Sequence, residues 1–262
     1  MPLNAPRLFK ALAVLAFVLG ARALPAAAMA SDDVMLFERA NEAFRQNHFK
    51  EAADMYRKLQ HQYPTAAVFS YDLGNSLFKD GDLGGAILAY ERAKLKAPRD
   101  PDVRHNLDYA NSLLEYHVDD KRNWYVKAGE EVLNYFREKE TNLLLFAAAF
   151  LFLSSWIFSL NYRRGEPWGW FRKTLLAFLS VGLVLAGGKS VETHMMRDAI
   201  VTAKEAEVRF GPSLDSQVSF RLGQGLKAYV VDTRKDWSRV LLVNLESGWV
   251  QNKDIEEVSK LS

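Results

Sequence analysis

The sequence predicts an α + β multidomain chain: an α-helical solenoid, two transmembrane helices and a small all-β barrel. Three observations carry this. A set of small and aromatic residues recurs at a fixed offset of 34 positions in the N-terminal half. Two long uncharged runs follow it. The last sixty or so residues then change to short β-rich segments separated by glycine and proline.

Residues 1–30 read as a secretory signal peptide. Arg7 and Lys10 give the positive start, Ala11 to Gly20 is apolar, and Ala28 and Ala30 fit an A-x-A cleavage site. An uncleaved membrane anchor is the alternative, and either way the chain that follows is expected to be exported. The absence of cysteine removes disulfides and thiolate chemistry. The net charge of only +2 gives no reason to expect a nucleic-acid partner.

The repeat block spans 31–118. Ala40, Ala52, Tyr56 and Pro64 return as Gly74, Ala86, Tyr90 and Pro98. Phe37 returns as Tyr71, Asn41 as Asn75, Phe44 as Phe78 and Arg45 as Lys79. Two antiparallel helices per repeat explain the chemistry of these positions. The small residues mark where the helices cross closely, and the tyrosines fill the space beside them. Asn47-His48 and Asp80-Gly81-Asp82 are the turns between helices, and each proline closes a second helix. The units are 34–66, 67–100 and a capping helix over 101–118, which solenoid arrays need at their ends. Period and pattern resemble tetratricopeptide repeats.

Residues 119–141 form an amphipathic connector, with Trp124, Tyr125, Tyr135 and Phe136 suited to a membrane interface. The run 143–160 holds 18 residues without a charge, roughly 27 Å of helix. A second, shorter run covers 174–189. The loop between them, 161–173, carries Arg163, Arg164, Arg172 and Lys173, so it is expected in the cytoplasm. That would place the repeats and the C-terminal domain on the outer, periplasmic side of the inner membrane. A buried hairpin in a soluble domain is the alternative for the two runs.

From 199 to 259 the segments Ile200 to Ala203, Glu207 to Arg209, Lys227 to Val231 and Trp237 to Val243 read as strands. The order Arg209-x-Gly211-Pro212-Ser213, Leu222-x-x-Gly225, Trp237-x-x-Val240 and Gly248-Trp249-Val250 resembles bacterial SH3-like barrels.

Catalytic and metal motifs are not found. The histidines His48, His61, His105, His117 and His194 have no second ligand at metal spacing. Gly187-Gly188-Lys189-Ser190 lacks the earlier glycine of a phosphate loop, since Leu183 stands there. No cofactor and no enzymatic activity are expected. The candidate partner-binding face is Phe37, Asn41 and Arg45 with Tyr71, Asn75 and Lys79, each set four residues apart on one helix face. Ordinary packing between repeats is the competing reading of these six. Tetratricopeptide domains that hold a C-terminal carboxylate use a basic residue where this chain has Phe37 and an asparagine where it has Asp72. A carboxylate clamp is therefore not expected.

The phrases LGNSLFKDGDLGGAILAYERA, from Leu73 to Ala93, and DVRHNLDYA, from Asp102 to Ala110, resemble the BatE-like members of the Bat family of bacterial aerotolerance operons. The order of signal peptide, repeats, two spans and SH3-like domain is similar along the full length. The resemblance implies a non-enzymatic, membrane-anchored scaffold in an envelope complex. Its implied partners are other Bat proteins, which bear von Willebrand A domains. A peptidoglycan-binding role of the SH3-like domain is the alternative.

Overall fold

The computed structural model describes residues 29–116, 118–135, 138–161, 173–182 and 197–259. The signal peptide over 1–28, nearly all of the 161–173 loop, and residues 183–189 of the second apolar run lie outside them.

Five helices form the repeat block: α1 (Ser31–Arg45), α2 (Phe49–Gln62), α3 (Ala67–Asp80), α4 (Leu83–Lys96) and α5 (Pro101–Ser112). The helix ends follow local chemistry. Gly81 takes the left-handed conformation that terminates α3, at φ 86°. Asp82 then caps α4, its Oδ1 accepting the Gly85 amide at 3.0 Å. Asp100 caps α5 through the amides of Asp102 and Val103, with Pro101 at the first helical position. Helices α2 and α4 stop two residues before Pro64 and Pro98.

Each repeat closes on a tyrosine. A Cβ added to Gly74 would lie 2.6 Å from the Tyr90 ring, so the ring sits flat where a side chain is missing. Ala40, Ala52 and Ala86 are wholly buried at the corresponding crossings. Phe37 wedges between the repeats, edge-on to Tyr56 and to Phe69, with centroids 6.2 and 5.6 Å apart. Gln60, Ser70 and Lys96 form a polar chain inside this packing, with both side-chain nitrogens 2.8 Å from the Ser70 hydroxyl.

The C-terminal part is a seven-stranded antiparallel sheet in the order β3-β2-β6-β5-β4-β1-β7. The strands are β1 (Arg197–Val201), β2 (Glu205–Arg209), β3 (Val218–Gly223), β4 (Lys227–Arg234), β5 (Trp237–Leu241), β6 (Ser247–Gln251) and β7 (Ile255–Glu257). It encloses a core of Val201, Val208, Leu222, Val230, Val240 and Val250. β3 and β7 were not among the expected strands.

The sheet is seated on α4. Ile200 and Val258 join the hydrophobic cluster of the repeats. Arg92, almost wholly buried, donates to Glu256 at 2.7 Å and to the carbonyls of Val258 and Glu257 at 3.2 and 3.1 Å. Lys227 pairs with Asp198 at 2.6 Å and reaches Glu91 of α4 at 3.8 Å. Burial works against the Lys227 charge, but Glu91 and Asp198 outweigh it and hold its pKa above the usual lysine range. Gln224 donates to Asp82 at 2.9 Å. The segment after α5 runs beneath the sheet, with Leu114 packed against both hydrophobic clusters.

Two further helices lie between the repeats and the sheet, α6 (Trp124–Tyr135) and α7 (Glu138–Asn161), and 173–182 is also helical. Among the described residues no helix is long and apolar enough to cross a membrane. The expected pair of transmembrane helices, 143–160 and 174–189, is corrected on that finding. The connector 119–141 is less open than a polar break implies. Arg122 forms a two-nitrogen pair with Asp120, and Arg99 pairs with Glu140 and stands 5.3 Å over the Tyr135 ring.

Gly74→Val is expected to cost about 2 kcal/mol or more by forcing Tyr90 off its seat, seen as a lowered thermal midpoint. Arg92→Met is expected to cost about 2–3 kcal/mol, because Glu256 and two carbonyls lose their donor. Limited proteolysis should then cut between repeats and sheet faster than in the unaltered protein.

Candidate partner-binding face

The first helices of the repeats, α1 and α3, stand beside α5 and form one face. Its geometry starts in the core. The Tyr56 hydroxyl donates to Asn41 Oδ1 at 2.7 Å, and the Tyr90 hydroxyl donates to Asn75 Oδ1 at 2.8 Å. The same bond thus recurs one repeat later. Burial, aided by the negative charge of Asp72, pushes both hydroxyls up from the ordinary tyrosine range, so both stay protonated donors. A tyrosine that donates to the amide oxygen settles which way the asparagine points. The Asn41 Nδ2 is then left without a protein partner among the described residues, while the Asn75 amide also bonds the Tyr71 hydroxyl. The Asn41 group can donate to a backbone carbonyl of a bound segment.

The remaining expected residues fall into place around them. Tyr71 packs at 6.0 Å from the Tyr90 ring, and its hydroxyl accepts from Asn106 at 3.0 Å. Asn106 also donates to Asn75 Oδ1 at 3.0 Å, tying α5 to α3. Phe37 is shared between groove and core. Arg45 is engaged by Glu42, with Nη2 at 2.6 Å and Nε at 3.0 Å. Lys79 is exposed at the end of α3 and has no bonded partner among the described residues. Four of the six candidates thus meet the two tyrosines, Phe37 and Asn41 at Tyr56 and Tyr71 and Asn75 at Tyr90. Arg45 and Lys79 sit at the edge of the face.

Two residues of this face were not among the candidates. Asn106 lies three positions short of the 34-residue offset from Asn75, so periodicity does not point to it. Asp72 sits between Tyr71 and Asn75, partly buried, and its carboxylate has no hydrogen-bond or ion-pair partner among the described residues. Burial raises its pKa from the usual carboxylate range to about 6.

Other concavities are less organised for binding. A 160 Å³ cavity lies between α2, α3, α4 and the sheet, lined by Arg57, His61, Asp82, Arg92, Thr202 and Glu256. A 270 Å³ cavity on the sheet is lined by Arg197, Thr233, Ser238, Asn252 and Glu257, whose polar groups bond one another. Among the described residues no group of acids and histidines is placed to hold a metal ion.

Residues 37–102 match the tetratricopeptide repeat family model. The match runs from the middle of α1 to the start of α5. No curated protein matches the chain. Tetratricopeptide repeats are in general protein-interaction modules, and the open face of α1, α3 and α5 has the form of one.

Asp72→Asn removes a desolvated charge with little change of shape. The Asp72 pKa is higher in the folded than in the unfolded chain. Its neutral form therefore stabilises the fold at low pH, and that stability is lost as pH rises through about 6. The variant is expected to be more stable by about 1–2 kcal/mol at pH 7.5, after allowance for solvent screening. Thermal or urea unfolding at both ends of the range checks this, since the gain should vanish below about pH 4.

Proposed function

We propose that this chain is a non-enzymatic scaffold of the bacterial cell envelope. Its repeat face captures an extended segment of a partner protein. The single observation that carries the reading is the repeated Tyr–Asn bond, which orients Asn41 and Asn75 one repeat apart and leaves the Asn41 amide without a partner among the described residues. The arrangement suits a peptide backbone, whose carbonyls present acceptors at regular spacing.

The signal-like start supports export, and the repeats and sheet domain then act on the outer side of the inner membrane. The exposed aromatic side chains of α6 and α7, among them Trp124, Phe146 and Phe150, support contact with a membrane surface or an apolar partner. The resemblance to BatE-like proteins supports envelope partners that bear von Willebrand A domains. The SH3-like reading of the sheet belongs to the same proposal.

A photo-crosslinking residue placed at Asn41 or Asn75 in intact cells tests this. A discrete protein adduct is expected from these positions, and none from a site on the sheet such as Lys235. Equal labelling from all positions, or no adduct from the groove, removes the reading.

A further inference from the structure

The groove carries a second periodic element beside the asparagines. Phe37-Glu38 precedes Asn41 in the first repeat, and Tyr71-Asp72 precedes Asn75 in the second. Each repeat thus offers an aromatic ring, an acid directly after it, and an asparagine three positions further on the same helix face. The third helix breaks the pattern, with His105 and Asn106 at the two leading positions.

The two acids are not equivalent. Glu38 lies in solvent, whereas Asp72 lies in the seam between the repeats. It is partly buried and follows Tyr71 directly on α3. Arg45, at the edge of the face, is held by Glu42. The nearby amide oxygens of Asn41 and Asn75 accept from tyrosines, so they do not compete for a cation. What is left is one partly buried carboxylate without a partner among the described residues, next to Tyr71 and one turn before Asn75 on α3.

That constellation has a definite complement. A carboxylate beside aromatic faces suits an ammonium or guanidinium group, which gains an ion pair and ring contacts together. An acidic ligand would meet Glu38 and Asp72, and nothing in the centre of the groove offsets them. We infer that this face selects a partner segment with a basic side chain, received by Asp72 beside Tyr71, while the Asn41 amide holds its backbone. This rests on the repeat face being the peptide site proposed above.

The test titrates the full-length protein with fluorescein-labelled, capped heptapeptides of alanine, serine and leucine. Their central residue is lysine, arginine, norleucine or glutamate. The lysine and arginine peptides are expected to bind about tenfold more tightly than the norleucine peptide, with the glutamate peptide weakest. In Asp72→Asn the lysine peptide should fall to the norleucine level, while the norleucine peptide keeps its affinity. Glu38→Gln should change the preference less than twofold. Because Asp72→Asn is expected to be the more stable protein, lost preference there is not lost folding. Equal binding of lysine and norleucine peptides, or a preference that survives Asp72→Asn, overturns the basic selection and leaves the peptide site standing. No binding of any peptide overturns both.

Discussion

One tyrosine per repeat links the inside of this solenoid to its outside. The Tyr90 ring can lie against α3 only because position 74 has no side chain. Seated there, its hydroxyl reaches Asn75 and fixes that side chain in one orientation. Tyr56 does the same for Asn41 beside the wholly buried Ala40. Packing in the core and donor direction on the open face are thus set by the same ring. A bulkier residue at the crossing would displace both, although it touches no groove residue directly.

The sheet domain depends on the repeats in a less local way. Two repeats and a lone third helix leave the end of an array exposed, and solenoids need a cap there. Among the described residues no helix after α5 pairs closely with it. The chain instead passes beneath the sheet, Leu114 joins the two cores, and the sheet rests on α4. Glycine makes this approach possible at Gly84 and Gly225. A side chain at the first would meet the Val201 carbonyl at 2.9 Å, and one at the second would meet Ile87 at 2.7 Å. The charged groups at the junction are sensitive to change because they are desolvated. Arg92 has its acceptors and Lys227 its two acids, and removal of any one partner leaves a buried charge behind.

What the sequence made legible follows the range of the forces involved. The repeats were readable because packing at a 34-residue offset uses the same residue types twice. The turn at Asp80-Gly81-Asp82 was readable because its signal is local. The junction was not. Arg92 and Glu256 are 164 positions apart, and neither belongs to a local pattern. β3 and β7 escaped for a different reason. Val218–Gly223 alternates only partly, and Ile255–Glu257 is three residues long, so tertiary pairing with β2 and β1 makes them strands. The apolar runs misled: eighteen uncharged residues read as a span, yet among the described residues no helix is long and apolar enough to cross a membrane. On the candidate face, four of the six expected residues meet the repeat tyrosines in two pairs. The two that period four could not find, Asp72 and Asn106, matter through the company they keep.

Asp72 favours the proposed binding role of this face over the packing-only reading that the sequence left open. If the face were packing alone, its side chains would be expected to satisfy one another, as Asn106, Tyr71 and Asn75 do. A carboxylate is among the worst choices for a half-buried seam with no cation beside it, since burial penalises the charged form and no bond repays it. Asparagine or serine would fill the same space without that cost. Glu38 shows that an acid at this repeat position is harmless when solvated, so the penalty belongs to the place and not to the residue type. A cationic group arriving from outside would turn the same penalty into affinity, because an acid that water solvates poorly has less hydration to lose on pairing. The least stable feature of the groove is on that account its most informative one.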